Sequence, residues 1–288
     1  MEAKKSENNM NSSSTKISIG IPVYNGEKFI RKCIESVLQQ TNRNFELIIS
    51  DNASTDSTPD ICKEFLNKDD RITFVTQNKN MGQNWNFNFL LEKANGEYFV
   101  WVSVDTTLLP EFIEKTIAVL ESHEKIVGCL SKIKIDESYV DKFKKEKQIL
   151  KKAGLVYRPY NTLPLTGNYR ERIRKYLKHF PWEMFYAVYR TKSLRESFVH
   201  DFFIGSDASL VLNILKYGEI QVVDEILVES IYSGASANYN YYKHIMPFYP
   251  LTKWCVKNLG WKIFLTNIDH FLRLGLDGLI LQITSIKK

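Results

Sequence analysis

The sequence predicts an α/β fold, in which a mostly parallel sheet is flanked by helices and followed by a helical extension at the C-terminus. Short apolar runs alternate with amphipathic segments from Lys16 onwards, as expected for strands joined by crossover helices. The 288 residues, 44% of them hydrophobic, suffice for one large domain with additions. Unusual polar residues follow several of the predicted strands, and ligands bind at those positions in open α/β sheets.

The first half is predicted to run strand, helix, strand, helix, strand. The segments are Ile17 to Val23, Glu27 to Gln40, Phe45 to Ser50, Thr58 to Leu66 and Ile72 to Thr76. The first helix repeats apolar residues at the spacing of one buried face. The second begins with Thr-Pro-Asp, in which Thr58 can cap the helix and the proline fits the first turn.

The rest of the chain predicts further alternation that becomes less regular after the fourth strand. Predicted helices are Trp85 to Ala94, Pro110 to about Glu121, Arg170 to His179 and Ser206 to Tyr217. Predicted extended segments are Tyr98 to Val104, Ile126 to Ile135, Phe185 to Arg190 and Ile220 to Val228. The lysine-rich run Asp141 to Lys152 is expected to be a solvated helix or a loop.

The chain is expected to divide into a disordered leader (1–15), a main domain (16–232) and a C-terminal amphipathic helical extension (233–288). Within the main domain, residues 16–120 and 121–232 form two halves. The leader lacks an apolar core like that of a signal peptide, and no stretch reaches the ~20 apolar residues of a membrane span. We therefore expect a cytoplasmic protein, either free or peripheral on the inner face of the membrane.

Charge and cysteine content narrow the classes of function. A net charge of +6 favours acidic partners such as nucleotide diphosphates or anionic lipids. Nucleic acid is disfavoured, because the basic residues are scattered and no recognition motif accompanies them. The four cysteines are far apart in sequence, which indicates reduced packing residues rather than metal ligands or disulfides.

Two loops at the ends of the first two strands carry the strongest pattern. The first is Pro22, Val23, Tyr24, Asn25 and Gly26, and the second runs from Asp51 to Asp56 with the sequence Asp-Asn-Ala-Ser-Thr-Asp. Each alone is ordinary turn chemistry. Together, in this order and spacing, they resemble the opening of a family 2 glycosyltransferase, an inverting enzyme family with the GT-A (Rossmann-like) fold.

This resemblance implies a nucleotide-sugar donor and assigns roles to the two loops. The first loop (Pro22 to Gly26) and Asp51 would hold the base and ribose. The carboxylate of Asp51 can accept the imide N–H of uracil or thymine. A UDP- or dTDP-sugar is therefore expected. Asn80 and Gly82 resemble the segment that passes beside the diphosphate, where glycine lets the backbone approach the ligand. The family commonly has a basic residue before Asn88, and this chain has Phe87 there.

The loop after the fourth strand departs most from the family. Members place an Asp-x-Asp pair there, whose carboxylates bind Mg²⁺ or Mn²⁺ bridging the phosphates. This chain has Ser103, Val104 and Asp105, so Asp105 is expected to ligate the metal alone and Val104 to line the nucleotide site. The alternative role for Asp105 is that of a turn or helix-capping acid.

In the second half, the segment Ile204 to Leu210 resembles the start of the helix that carries the family's general base. Asp207 would take the proton from the acceptor hydroxyl, and the alternative is a first-turn acid stabilised by the helix dipole. The resemblance implies a glycan or lipid-linked acceptor. A later segment, Glu229 to Gly234, lacks the Arg and His that many members place near the phosphates.

Three functions remain open at this point. The first is sugar transfer; the second is a catalytically impaired member that binds nucleotide or glycan as a scaffold. A nucleotidyltransferase is disfavoured, because no glycine-rich phosphate loop follows the first strand. The tail from Tyr249 to Lys288 mixes Trp, Phe and Leu with Lys and Arg. It is expected either to rest on an anionic membrane surface or to pack on the domain as a helix pair.

Overall fold

The computed structural model describes residues 17–136, 162–203, 205–231 and 249–275, and these contain one mixed eight-stranded sheet. The order across the sheet is β3-β2-β1-β4-β7-β6-β8-β5. The strands are β1 Ile17–Val23, β2 Phe45–Asp51, β3 Ile72–Thr76, β4 Tyr98–Trp101, β5 Thr106–Leu108, β6 Ile126–Ile135, β7 Val188–Arg190 and β8 Glu219–Ser230.

Helices flank this sheet and form the C-terminal region. They are α1 Ile30–Leu38, α2 Thr58–Leu66, α3 Gln83–Lys93, α4 Phe112–Ser122, α5 Tyr169–His179, α6 Thr191–Ser197, α7 Ser206–Ile214, α8 Tyr249–Leu259, α9 Trp261–Thr266 and a further helical segment, α10, at 268–275. A 3₁₀ helix, Trp182–Tyr186, precedes β7. The predicted fold class, a sheet flanked by helices with a helical C-terminal region, is confirmed.

The predicted strand and helix alternation of the first half is confirmed. Strands β1, β2, β3 and β4 are parallel, with Val23 opposite Asp51 and Asp51 opposite Thr76. The side chains of β1, β2 and β4 are nearly all buried, as expected of parallel strands covered on both faces, whereas β3 at the edge of the sheet buries only Ile72. The parallel register brings the carboxyl ends of these strands, and the loops that follow them, to one edge of the sheet.

Two predicted strands are corrected. The strand predicted for Tyr98 to Val104 ends at Trp101, because a turn closed by the Thr106 N–H to Ser103 carbonyl hydrogen bond (2.9 Å) redirects the chain into β5. The segment predicted as extended from Phe185 to Arg190 begins inside the 3₁₀ helix. Its turns are closed by hydrogen bonds to the carbonyls of Pro181 and Met184, and β7 starts after them.

The predicted cap at Thr58 is wrong. Thr58 is the first residue of α2, and its hydroxyl accepts a hydrogen bond from the Gly26 N–H at 2.8 Å. The Thr58 N–H is satisfied by the Asp56 carboxylate at 3.0 Å. The threonine therefore ties the start of α2 to the loop after β1. The prediction for the cysteines is confirmed, since all four are free and buried.

The C-terminal helices join the core of the main domain. Leu251, Cys255, Phe271 and Leu274 are buried in the same apolar cluster as the sheet. Among the described residues, no helix has both the length and the apolarity to cross a bilayer. The leader (1–15), the lysine-rich run (141–152), Ile204, Tyr232 to Gly234 and the end of the tail (276–288) lie outside the described residues. The division into domains stays a prediction.

Candidate functional site

Four loops at the carboxyl edge of the parallel strands form the candidate site. We call them loop 1 (22–26), loop 2 (51–56), loop 3 (77–82) and loop 4 (102–105); loops 1 and 2 include the last residues of β1 and β2, and loops 3 and 4 follow β3 and β4. They lie where ligands bind in open α/β sheets. Hydrogen bonds and packing connect all four, so most of the residues predicted for the donor lie in one continuous surface region.

Loops 1 and 2 are held together by reciprocal hydrogen bonds. The Asn25 N–H donates to the Ser54 hydroxyl, and the Asn25 side-chain oxygen accepts from the Thr55 N–H, both at 2.8 Å. Asn25 and Ala53 adopt left-handed backbone conformations, with φ of 51° and 63°. Such conformations are costly for alanine, so the surrounding contacts must maintain them. In loop 1, Tyr24 and Asn25 are exposed, Pro22 is half-buried and Val23 is buried.

Asp51 is fully buried, which the sequence does not predict for a residue that contacts a base. Its two carboxylate oxygens accept from the Ser54 N–H at 3.1 and 3.3 Å. The carboxylate thus organises loop 2 from inside. A base could reach it only after loop 2 shifts, and the strained Ala53 lies in that loop.

Loop 3 is positioned by Asn52, a residue that the sequence analysis did not single out. The Asn52 side chain donates to Asn80 Oδ1 at 3.0 Å and accepts from the Met81 N–H at 2.9 Å. Gly82 has φ of 88°, and an added Cβ there would meet no atom within 4 Å. The space beside the Gly82 backbone is therefore open, and its role beside the diphosphate stays a prediction. In the sequence, the signal for this role of Asn52 was its position directly after Asp51, a predicted site residue.

Loop 4 carries Asp105, which is 7% exposed. Its Oδ1 accepts from the Ser103 hydroxyl at 2.6 Å, and its backbone carbonyl accepts from the Ile231 N–H at 3.2 Å. Ile231, which belongs to the segment Glu229 to Gly234 discussed in the sequence analysis, therefore lies beside Asp105. Val104 packs on loop 1, because a Cβ added to Gly26 would lie 2.9 Å from Val104 Cγ2. Only glycine fits at position 26.

Asp105 belongs to no cluster of metal-binding side chains among the residues that the structure describes. Within the described ranges, no group of three or more His, Cys, Asp or Glu side chains could hold a metal ion. Mg²⁺ often takes one or two carboxylates and completes its shell with substrate phosphates and waters. Asp105 and the Ser103 hydroxyl fit such an ion when the diphosphate supplies the other ligands.

Phe87, which replaces the expected basic residue, faces the core. It is 6% exposed, and its ring meets those of Trp101, Phe185 and Tyr186 edge-on at 5.6, 5.1 and 6.5 Å. Aromatic rings prefer such edge-to-face contacts. The position therefore joins the donor half of the fold to the 3₁₀ helix of the other half.

Asp207 lies in the first turn of α7, after Gly205 at the N-cap with φ of 96°. Asp207 is exposed, and partial desolvation of its carboxylate by the surrounding protein raises its pKa. Burial raises the pKa of Tyr186, and the charges of Asp105 and Asp207 raise it further. The Tyr186 hydroxyl is thus within electrostatic reach of both carboxylates. This brings the predicted metal ligand and the predicted base to one region.

Glu183 is a buried acid that the sequence analysis missed. It lies in the 3₁₀ helix, is 1% exposed, and its Oε2 has no hydrogen-bond partner among the described residues. Burial raises its pKa from 4.5 to about 7. A buried carboxyl group with an unpartnered oxygen is less costly to bury when it is protonated, and this cost raises its pKa. Nothing in the local sequence pattern signals this burial.

Glu183→Gln is expected to stabilise the protein more at pH 8 than at pH 5. The folded state binds the Glu183 proton more tightly than the unfolded state, so stability falls as pH rises from 4.5 through about 7. Glutamine, which stays neutral, should recover about 2–3 kcal/mol above pH 7. Urea unfolding at both pH values measures this, with the exposed Glu92→Gln as control. Equal effects of Glu183→Gln at both pH values would contradict a raised pKa.

Comparison with known proteins identifies relatives of this chain. The model of "Glycosyl transferase family 2" matches residues 18–198. A dolichyl N-acetyl-alpha-D-glucosaminyl phosphate 3-beta-D-2,3-diacetamido-2,3-dideoxy-beta-D-glucuronosyltransferase from Methanococcus voltae is 30% identical over 227 residues, covering 76% of this chain and 68% of that protein. Glycosyltransferase GlyA from Streptococcus pneumoniae is 33% identical over 124 residues. The match covers 43% of this chain but spans 17% of GlyA.

Solved structures share the fold. S. aureus TarS 1–349 in complex with UDP-GlcNAc superimposes with a TM-score of 0.60 at 21% identity, covering 83% of this chain and 65% of that one. A mannosyltransferase from Pyrobaculum calidifontis, in complex with GDP-Man and Mn²⁺, gives 0.61 at 13% identity, covering 96% and 75%. These likenesses support the GT-A fold.

Proposed function

Because the chain belongs to glycosyl transferase family 2, we propose that it transfers a sugar from a UDP- or dTDP-sugar to a glycan or a lipid-linked acceptor, with inversion. The observation that carries this proposal is the set of hydrogen-bonded loops at the carboxyl edge of the parallel strands, one of which holds Asp105. The charges of Asp105 and Asp207 both raise the pKa of the buried Tyr186 hydroxyl. Asp105 lies in loop 4 on the donor side, and Asp207 lies at the start of α7, which is expected to face the acceptor.

On the donor side, loop 1 would hold the base and ribose through Pro22, Val23, Tyr24 and Asn25. Asp51 would accept the imide N–H of the base once loop 2 moves aside. A loop with a strained residue can yield in this way, because ligand contacts replace the contacts that hold it closed. TarS, which has this fold, was solved with UDP-GlcNAc, in keeping with a uridine donor.

The diphosphate would lie along Asn80, Gly82 and Val104, with the open backbone at Gly82 next to it. Asp105 would hold Mg²⁺ or Mn²⁺, and the ion would neutralise charge on the diphosphate as it leaves. The mannosyltransferase of the same fold was solved with Mn²⁺.

For the chemical step we propose Asp207 as the general base. Its carboxylate takes the proton of the acceptor hydroxyl while that oxygen bonds to the anomeric carbon. The bond from the anomeric carbon to the diphosphate oxygen breaks at the opposite face, and the nucleotide diphosphate keeps the electron pair. One displacement inverts the anomeric centre. The raised pKa of Asp207 makes it a stronger base than an ordinary aspartate.

A second function, that of an impaired scaffold, is favoured by one observation. In the described part of the chain Asp105 has no cluster of acidic companions, and Phe87 is packed in the core where the family has a cation. Such a protein would bind nucleotide or glycan without transferring sugar. Activity that disappears in Asp207→Asn rejects it.

The first experiment is a thermal-stability titration with UDP and dTDP, with and without Mn²⁺. A ligand that binds the folded state alone stabilises it by about 2.7 kcal/mol at a hundred times its Kd. We expect UDP or dTDP to raise Tm, with a larger shift when Mn²⁺ is present. Asp105→Ala should remove the Mn²⁺-dependent part, while the control Asp224→Ala, an exposed acid on β8, should not.

The outcomes separate the candidates. Binding that is indifferent to Mn²⁺ would contradict the role of Asp105 as metal ligand. If neither nucleotide shifts Tm, the donor site is wrong and the glycan-binding scaffold becomes the better account. We further propose that the protein works in the cytoplasm beside a membrane.

A further inference from the structure

The C-terminal helices carry an exposed row of apolar side chains. Trp261, Leu265, Ile268 and Leu272 have 65, 59, 42 and 64% of their surface exposed. Trp261 and Leu265 in α9, and Ile268 and Leu272 in α10, are each four residues apart, so each pair lies on one face of its own helix. We call this set the apolar row.

The row continues from α9 into α10 because Asn267 bridges the break between them. Its N–H donates to the Phe264 carbonyl at 3.0 Å, and its carbonyl accepts from the Phe271 N–H at 3.2 Å. The Asn267 side chain donates to the Ile263 carbonyl at 2.8 Å. Hydrogen bonds thus connect α9 to α10 across Asn267, whose φ of −128° separates the two helices.

The opposite face of the same helices is anchored to the domain. His270, Phe271 and Leu274 are 7, 5 and 5% exposed, and Arg273 donates to the Leu177 carbonyl of α5 at 2.9 Å. This face therefore packs on the domain, which is one of the two arrangements expected from the sequence. The apolar row points away from it, so folding of the domain alone does not account for the row.

Cations surround the row. Lys262 is exposed within it, and Arg174 and Lys178 are exposed on the neighbouring α5. Burial lowers the pKa of His270, and Arg174, Arg273 and Lys178 lower it further, whereas Asp269 acts in the opposite sense. Asp269 lies 3.5 Å from Arg174 and offsets one of these charges. The balance around the row is positive.

We propose that the apolar row docks on an anionic lipid surface. Apolar side chains, with tryptophan among them, enter the boundary between headgroups and acyl chains, while flanking cations meet the anionic headgroups. A two-fold contact between two copies through this row would instead bring like charges together, which is unfavourable. The inference rests on the row and its charges, and it is independent of the transfer reaction.

The test is co-sedimentation of the full chain with vesicles of phosphatidylglycerol mixed with phosphatidylcholine, and with vesicles of phosphatidylcholine alone. We expect binding to the anionic vesicles, weakened by salt because the headgroup attraction is screened. The double variant L265Q/L272Q should lose roughly tenfold or more in affinity. The control is Ile226→Gln, because Ile226 is also apolar and 48% exposed but lies on β8.

Two results would overturn the proposal. One is equal vesicle binding by the wild type and L265Q/L272Q. The other is absent vesicle binding, with or without a concentration-dependent dimer that L265Q/L272Q abolishes; such a dimer would assign the row to a second copy of the chain. Leu265 and Leu272 are both exposed. The nucleotide titration tests the donor site separately, so failure of the proposed function can be distinguished from failure of the lipid-docking proposal.

Discussion

Asp207→Asn is expected to lower sugar transfer by about 10²–10⁴-fold while leaving nucleotide binding unchanged. Asparagine has nearly the same size and can still accept the Ala208 N–H hydrogen bond that Asp207 accepts at 2.8 Å. It cannot take a proton at neutral pH. The measurement is release of nucleotide diphosphate in the presence of an acceptor found by screening. Asp201→Asn, an exposed site a few residues upstream, is the control.

The pH profile of the wild type adds a second readout. The base must be ionised, so transfer should fall as pH drops through the pKa of Asp207. Because desolvation raises that pKa, the fall should begin above the ordinary range of an aspartate. Full activity in Asp207→Asn would place the base elsewhere. Loss of UDP binding together with activity would make Asp207 a structural residue.

Trp101→Ala is expected to destabilise the fold by about 3–5 kcal/mol. The indole is 1% exposed, stacks on Phe185 at 4.9 Å, meets Phe99 edge-on at 4.9 Å and donates to the Phe87 carbonyl at 3.0 Å. Alanine leaves a cavity and removes the partner of that carbonyl. The loss is a large part of the ~5–15 kcal/mol that usually separates folded from unfolded states.

Urea unfolding of Trp101→Ala measures this loss, and Trp85→Ala is the matched control. Trp85 is 37% exposed and stacks on Phe89 at 5.2 Å, so its removal should cost about 1 kcal/mol or less. Since Trp101 joins β4 to the 3₁₀ helix, Trp101→Ala should also weaken nucleotide binding. Equal losses for both variants would contradict the central place of Trp101 in the aromatic cluster.

Local patterns in the sequence were sufficient for most elements of the fold. Ile17–Val23, Thr58–Leu66, Ile72–Thr76 and Ile126–Ile135 have the predicted limits, because apolar periodicity and helix-start residues act over short distances. The predicted roles of the site residues remain predictions. What the structure adds is that loops 1 to 4, which carry most of them, are in contact.

Long-range packing accounts for what the sequence analysis did not predict. The 3₁₀ helix replaces part of a predicted strand, and its buried Glu183 became visible only with the fold. In the sequence, Phe87 stands where the family commonly has a basic residue. In the structure its ring packs against Trp101 and Phe185, which explains why an aromatic residue fits there.

The sequence by itself determined the class of this protein, because the loop residues and strand periods that define family 2 lie within short stretches of chain. Only the tertiary structure decided which residues are accessible: Asp51 is buried, the space beside Gly82 is open, and residues 261–275 have one packed and one exposed face. Accessibility depends on contacts between residues far apart in sequence, such as Arg273 with Leu177. Such contacts form only when the whole core is assembled.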